Sequence, residues 1–128
     1  MEKHKEKSNM LILVIDDEFE VRRMIVKMLK PEGYEVIEAA DGESGMDVIK
    51  ALKRIDILIT DLIMPEREGI EVIQEVKKLF PDIKIIAISG GGRGDARNYL
   101  AIAKAMGAHK VLKKPFVRND LLELIKQL

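Results

Sequence analysis

The residues that could do chemistry share one position in this sequence: each stands where a strand-like segment ends. Asp16 and Asp17 follow the apolar run 10–15, Asp61 closes the run that begins at 57, Ser89 follows 83–88, and Lys114 follows 109–113. Short runs rich in β-branched residues are typical of strands buried on both faces. In open parallel sheets, ligands bind just outside the carboxyl ends of the strands. The pattern therefore predicts one site that collects these five side chains.

This set of side chains suits the transfer of a phosphoryl group. Three carboxylates at one place repel one another, so some of them take up protons unless a cation lies between them. Mg²⁺ resolves this conflict, because it binds carboxylates, backbone carbonyls and water oxygens. A lysine and a hydroxyl beside the ion can hold a phosphoryl group during transfer. The Asp61 carboxylate can itself be the nucleophile and form an acyl phosphate.

Strands and helices alternate five times along the chain, and this alternation predicts the fold class. We expect strands at 10–15, 34–39, 57–61, 83–88 and 109–113, and helices whose apolar stripes run over 21–29, 46–52, 70–79, 95–106 and 121–128. The pattern predicts an α/β domain with a doubly wound, flavodoxin-like (βα)5 parallel sheet of strand order 2-1-3-4-5. In that order, strands 1, 3 and 4 are central and carry the three aspartates and Ser89 into one crevice.

The composition restricts the possible classes of function. The chain has 128 residues, the length of one domain, and 22 Lys+Arg balance 22 Asp+Glu to a formal net charge of +0. No overall field favours direct binding of nucleic acid or of an anionic membrane. Residues 1–9 are charged, and the apolar run after them is too short for a signal peptide or a membrane span. The chain has no cysteine, which fits the reducing cytoplasm, and we expect a cytoplasmic protein. We also expect a flexible charged tail at 1–9 and one domain at 10–128.

The motifs at these positions, in their order along the chain, resemble those of a known family. The acidic pair, Asp61 with Pro65 and Gly69 behind it, Ser89 and the Lys-Pro-Phe at 114–116 are similar to those of the receiver domain of bacterial two-component response regulators, in the stand-alone form found in chemotaxis regulators. The resemblance covers about residues 10–128. It implies that Asp61 is the phosphoacceptor and that the donor is a histidine on a sensor histidine kinase or a histidine phosphotransfer protein.

The resemblance also implies a role for each metal ligand. Asp17 would bind Mg²⁺ directly, Asp16 mostly through water, and Asp61 and the backbone carbonyl of Ile63 would complete the protein ligands. Glu18 is expected to be only an acid that suits the helix dipole at the start of the first helix. His109, expected at an exposed strand end, and His4 in the tail are not expected to be ligands.

For the switch, the resemblance implies that Lys114 pairs with Asp61 before transfer and with the phosphate afterwards, across a cis bond to Pro115. Ser89 would close onto a phosphate oxygen and pull the loop after the fourth strand with it. The output would be the face made by the fourth helix, the fifth strand and the fifth helix. That face would bind an unknown downstream protein or a second copy, so that the protein is a monomer or a weak homodimer.

Some residues depart from the family pattern. Val111 stands where many receivers have an aromatic residue that swings inward on activation, and Gly90 stands where alanine is frequent. We therefore hypothesise that Ser89 and the ordering of residues 90–94 carry the switch. The resemblance implies that Ile63 and Gly91 flank the path of the hydrolytic water, and since neither side chain can orient that water, we expect slow loss of the phosphate.

Two other functions are compatible with parts of the pattern. A small Mg²⁺-dependent phosphatase acting through an aspartyl phosphate generally needs a second acid two residues after the nucleophile, where Ile63 stands, and a substrate pocket. A phosphorylation-independent adaptor would not need the five site residues. We therefore expect a protein that is not an enzyme beyond the gain and loss of its own phosphate. We expect a stand-alone receiver with no output domain in this chain; the alternative is a piece of a longer protein.

Overall fold

The computed structural model describes residues 10–62, 69–90 and 96–128, with the backbone alone for 96–100. Within them, strands and helices alternate as predicted. The strands are β1 (Leu11–Ile15), β2 (Glu35–Ala39), β3 (Ile57–Asp61), β4 (Lys84–Ser89) and β5 (Lys110–Lys113). The helices are α1 (Phe19–Leu29), α2 (Gly42–Leu52), α3 (Gly69–Leu79), α4 (Ala96–Met106) and α5 (Arg118–Lys126), and a 3-10 turn at Lys30–Glu32 follows α1.

The five strands form one parallel sheet in the order β2-β1-β3-β4-β5. This order and the flavodoxin-like architecture confirm the predicted fold class. The sequence explains why β1, β3 and β4 are central: β1 and β3 are buried along their whole length, as is β4 except at Lys84. Strands covered on both faces carry continuous apolar runs rather than alternating ones.

Helices cover both faces of the sheet and enclose two separate hydrophobic clusters. Successive side chains of a strand point to opposite faces, so Leu13 and Ile15 enter one cluster while Ile12 and Val14 enter the other. The first cluster packs against α2, α3 and α4, and the second packs against α1 and α5. The sheet is thereby held rigidly between two apolar layers, and its carboxyl edge is left to the polar residues.

The predicted apolar stripes were wrong at the ends of two helices. Leu52 is 40% exposed and Leu79 is 49% exposed, although both continue the helical spacing of the core residues before them. Each is the last residue of its helix. At its other end α2 is well defined, because Asp41 caps it by accepting a hydrogen bond from the Ser44 N–H at 2.7 Å.

Several predictions fall outside the described residues. These are the flexible tail at 1–9, the Ile63 carbonyl, Pro65, and the loop residues 91–94; they stay predictions. Among the residues that the structure describes, no helix combines the length and the apolar character needed to cross a membrane.

Candidate functional site

The carboxyl edge of the sheet brings three of the predicted residues into contact. Asp61 is the last residue of β3, Asp16 follows β1 directly, and Lys114 follows β5 directly. The Lys114 ammonium lies 3.1 Å from Asp16 Oδ2 and 3.6 Å from Asp61 Oδ2. Parallel strands that end at the same level place these side chains together, as the sequence pattern predicted.

Asp61 lies at the base of the site and is only 5% exposed. Its Oδ1 accepts a hydrogen bond from the Leu62 N–H at 2.9 Å, so Oδ2 is the oxygen on the side of the lysine. Burial and, after it, the charge of Asp16 raise the pKa of Asp61 to about 6, against the opposing effects of Lys114 and the Leu62 N–H. The carboxylate is therefore held in an environment that disfavours its negative charge.

Asp16 is fully buried at the turn between β1 and α1. Its Oδ1 accepts a hydrogen bond from the Glu18 N–H at 2.9 Å. Its Oδ2 is buried and, among the described residues, meets no donor in hydrogen-bond geometry, although Lys114 is its ion-pair neighbour. Burial raises the pKa of Asp16 although the Glu18 N–H and Lys114 act to lower it. This buried oxygen is orphaned of hydrogen bonds and lies 3.1 Å from the Lys114 ammonium, so it is suited to bind a further cation.

Lys114 contacts a third carboxylate, which sequence reasoning had not placed in the site. Among the described acids its nearest partner is Glu18, the residue just before α1, whose Oε1 lies 2.8 Å from the ammonium. Burial acts to lower the pKa of Lys114, but the bond to Glu18 and the charges of Asp61 and Asp16 outweigh it and raise the pKa above its ordinary value. The predicted pair of Lys114 with Asp61 is present at 3.6 Å, yet it is the longest of the three.

A metal ion would find its ligands among these acids. Carboxylate oxygens of Asp16, Glu18 and Asp61 all lie within 4.8 Å of one another. Hard divalent cations take oxygen ligands of this kind, and the buried, unsatisfied Asp16 Oδ2 fits the same need. Asp17 is exposed and lies outside this group, though its charge also raises the pKa of Asp61. Its predicted role as a direct Mg²⁺ ligand stays a prediction, as does that of the Ile63 carbonyl.

Ser89 and Gly90 border the site at the end of β4. Ser89 is buried, and its backbone carbonyl accepts a hydrogen bond from the Lys114 N–H at 2.7 Å. A Cβ atom on Gly90 would lie 2.3 Å from Lys114 Cβ, so the absence of a side chain lets the lysine segment approach. The Lys114–Pro115 peptide bond is cis, as predicted.

Gly69 packs against the backbone of the acidic residue. A Cβ atom at this position would lie 2.0 Å from the Asp61 carbonyl oxygen, and the Gly69 N–H donates to the Leu62 carbonyl at 2.9 Å. Only a residue without a side chain can start α3 this close to the end of β3. The glycine behind Asp61 therefore allows α3 to approach the site.

Val111 lies in β5, and His109 lies just before that strand. Val111 is half-buried and packs against the first hydrophobic cluster. The prediction that His109 is an exposed strand-end residue was wrong: it is half-buried, and its Nδ1 accepts a hydrogen bond from the Ile85 N–H at 3.0 Å. Burial and the nearby charges of Lys77 and Lys84 lower the pKa of His109.

The turn 16–18 between β1 and α1, called the acidic turn below, involves two residues that sequence reasoning missed. One is Glu18, whose place two residues after Asp16 was the available signal. The other is Arg22, one helical turn further on, which donates from Nη1 to the Asp16 carbonyl oxygen at 2.7 Å. An arginine spaced four residues from a capping acid gave a weak signal, because the same spacing is common on solvated helix faces.

Comparisons with known proteins agree with this geometry. A family model described as "Response regulator receiver domain" matches residues 12–126. The response regulator receiver protein CpdR of Brucella abortus is 33% identical, with 91% of this chain and 94% of that protein covered. The sensor kinase CckA of the same species is 36% identical over 91% of this chain, which spans only 12% of that kinase. A crystal structure of a response regulator receiver domain protein from Clostridium thermocellum superposes with a TM-score of 0.85 at 32% identity, covering 92% of both chains.

Proposed function

The chain belongs to the response regulator receiver domain family of two-component phosphorelay systems, and from this premise we propose that Asp61 accepts a phosphoryl group from a phosphohistidine. The donor is a sensor histidine kinase or a histidine phosphotransfer protein. The observation that carries the proposal is a nearly buried carboxylate with a pKa of about 6, set beside Lys114 and the orphaned oxygen of Asp16.

The two oxygens of Asp61 have different tasks in this reaction. Oδ1 is held by the Leu62 N–H, which leaves Oδ2 as the nucleophile. Oδ2 forms the new P–O bond while the P–N bond to the donor histidine breaks, and the electron pair of that bond stays on the imidazole nitrogen. Proton uptake by Asp61 would block the attack, so the ionised form must be supplied by a cation or by a pH above the pKa of Asp61.

Mg²⁺ is the cation that suits the site, held by Asp16, Asp17 and Asp61 with the predicted help of the Ile63 carbonyl. When bound, it neutralises the carboxylates and the phosphoryl oxygens. The position of Glu18 within 4.8 Å of Asp16 and Asp61 adds a further carboxylate at the rim. Each of these acids thereby has a role in holding the ion or in holding the lysine.

Lys114 and Ser89 act on the phosphoryl group once it is attached. The modification brings about −1.5 to −2 of charge, which draws the Lys114 ammonium from Glu18 toward the phosphoryl oxygens. The Ser89 hydroxyl donates to one of these oxygens and draws the end of β4 with it. This displacement is the signal that the rest of the domain transmits.

The output surface we propose is the face of α4, β5 and α5. Val117 at the start of α5 is 63% exposed, which supports contact with a downstream protein or with a second copy in a weak homodimer. No enzyme activity beyond the gain and loss of the aspartyl phosphate is part of the proposal. The acid that a phosphatase of small esters needs two residues after Asp61 is replaced by Ile63.

The test is intact mass after incubation with acetyl phosphate, with and without Mg²⁺. We expect the wild type to gain one phosphoryl group only with Mg²⁺, and Asp61→Asn to gain none. Asp47→Asn, an exposed aspartate on α2, is the matched control and should behave as the wild type. A phosphoryl group that persists in Asp61→Asn, or a folded wild type that gains none from acetyl phosphate or from a phosphorylated histidine donor, would contradict the proposal.

A further inference from the structure

We propose that Arg22 is the positioning residue of the acidic turn, and that it fixes the direction in which Asp16 presents Oδ2 to the site. The inference rests on the proposed function, because it concerns the same metal site. Arg22 lies one turn into α1, and its side chain is only 12% exposed. Its Nη1 donates to the Asp16 carbonyl oxygen at 2.7 Å, and its Nε donates to Glu38 Oε1 on β2 at 3.1 Å.

Asp16 is held at three atoms, of which Arg22 supplies one. The Asp16 N–H donates to the Ala39 carbonyl at 3.2 Å, Oδ1 accepts from the Glu18 N–H at 2.9 Å, and the carbonyl oxygen accepts from Arg22. With these three atoms engaged, Oδ2 is the remaining polar atom of Asp16, and it faces the site 3.1 Å from the Lys114 ammonium. A buried carboxylate held in this way is a metal ligand whose direction has been set in advance.

At Asp16, Arg22 contacts the backbone carbonyl and not the side-chain carboxylate. The bond therefore holds the backbone of Asp16 in place and leaves its carboxylate unpaired with Arg22. An arginine suits this task, because its planar guanidinium presents several donors in a rigid arrangement and can join two acceptors at once. The Phe19 ring lies 5.3 Å from the Arg22 guanidinium carbon and covers it on the outer side.

Arg23 provides a matched control one residue away. Its Nη1 pairs with Oε2 of the same Glu38, so it shares the partner on β2. The described contacts of Arg23 do not include the acidic turn, and its side chain is 41% exposed. Removing either arginine therefore takes one ion pair from Glu38, but only the loss of Arg22 frees the Asp16 carbonyl.

The experiment is calorimetric titration of the full chain with Mg²⁺, for the wild type, Arg22→Met, Arg22→Lys and Arg23→Met. Loss of a group that orients a metal ligand weakens binding about tenfold or more, so we expect a tenfold higher Kd in Arg22→Met. Arg23→Met should stay within about twofold of the wild type, and Arg22→Lys, which keeps a donor, should lie between them. A Kd of Arg22→Met equal to that of Arg23→Met would overturn the inference.

A second readout works without metal. Amide hydrogen exchange at Glu18 reports the hydrogen bond to Asp16 Oδ1, and it should be faster in Arg22→Met than in Arg23→Met. If the wild type binds no Mg²⁺, the proposed function fails, while faster exchange confined to Arg22→Met would still support the positioning role. If Arg22→Met does not fold, Arg22→Lys takes its place in both measurements, and wild-type values for that variant would refute the role.

Discussion

Replacing Asp61 by asparagine is expected to stabilise the fold at neutral pH in the absence of metal. Burial raises the pKa of Asp61 to about 6 from an ordinary value of 3.8, so the folded state binds this proton more tightly than the unfolded state does. The stability that protonation provides is complete below the unfolded pKa and is lost as the pH rises through the folded pKa. Above pH 6, the wild type therefore carries an unfavourable buried charge that asparagine lacks.

The magnitude follows from the two pKa values. At about 1.4 kcal/mol per pH unit, a pKa raised from 3.8 to about 6 corresponds to about 3 kcal/mol at pH 8. Part of this arises from Asp16, whose own protonation changes with pH, so we expect a measured gain between about 1 and 3 kcal/mol. Asparagine keeps an oxygen for the Leu62 N–H, which donates to Oδ1 in the wild type, and little is lost by the exchange.

The assay is urea unfolding followed by circular dichroism in EDTA-containing buffer at pH 8, 5 and 4. The advantage of Asp61→Asn should fall by about half at pH 5 and nearly vanish at pH 4, since the wild-type carboxyl is then protonated in the folded state. Asp47→Asn, an exposed control, should change the free energy of unfolding by about 0.5 kcal/mol or less at every pH. Saturating Mg²⁺ should remove most of the difference by stabilising the wild type alone.

The reasoning would be refuted by an Asp61→Asn variant that is no more stable than the wild type at pH 8. It would also be refuted by a gain that is the same at pH 8 and pH 4. The first result would mean that Lys114 already compensates the buried charge. The second would mean that the gain has a cause other than ionisation.

Three further predictions concern the residues around the site. Asp41→Ala removes the acceptor that caps α2 and should lower the free energy of unfolding in urea by about 1 kcal/mol. Asp41→Asn keeps an acceptor and should lower it by almost nothing. Equal losses in the two variants would contradict the capping role. Gly69→Ala places a Cβ 2.0 Å from the Asp61 carbonyl oxygen and should lower the free energy of unfolding by about 1–3 kcal/mol. A variant with an unchanged thermal midpoint would contradict this contact. Glu18→Gln removes the charge of the nearest described acidic partner of Lys114. The ammonium should then move toward Asp61 and lower the pKa of Asp61, which an NMR titration of its carboxyl group measures. An unchanged or higher pKa of Asp61 would show that Glu18 does not hold the lysine away.

The fold could be predicted because its signals are local. The apolar runs of β1, β3 and β4 and the helical stripes between them depend on chain neighbours alone, and the alternation leaves few topologies. The helix ends at Leu52 and Leu79 could not be predicted in the same way. Their exposure depends on which elements pack around each helix end, which is a property of the packed domain.

The site could be predicted as a set of residues but not as a set of contacts. Each of Asp16, Asp61 and Lys114 stands next to the end of a strand, and the topology alone brings them together. The contacts of Glu18 with Lys114 and of Arg22 with the Asp16 carbonyl depend on where long side chains lie in space. Sequence spacing can indicate that such a side chain lies near a site, but it does not determine which acceptor the side chain binds.

The Ile85 N–H of β4 donates its hydrogen bond to the side-chain atom His109 Nδ1 and not to a backbone carbonyl. Because the amide donates, Nδ1 must offer a lone pair, so the neutral ring carries its proton on Nε2. The structure thereby selects one of the two imidazole tautomers at the start of β5. That choice can be read from ¹⁵N chemical shifts, and it makes His109 an internal reporter of whether β4 and β5 remain joined when the site beyond them changes.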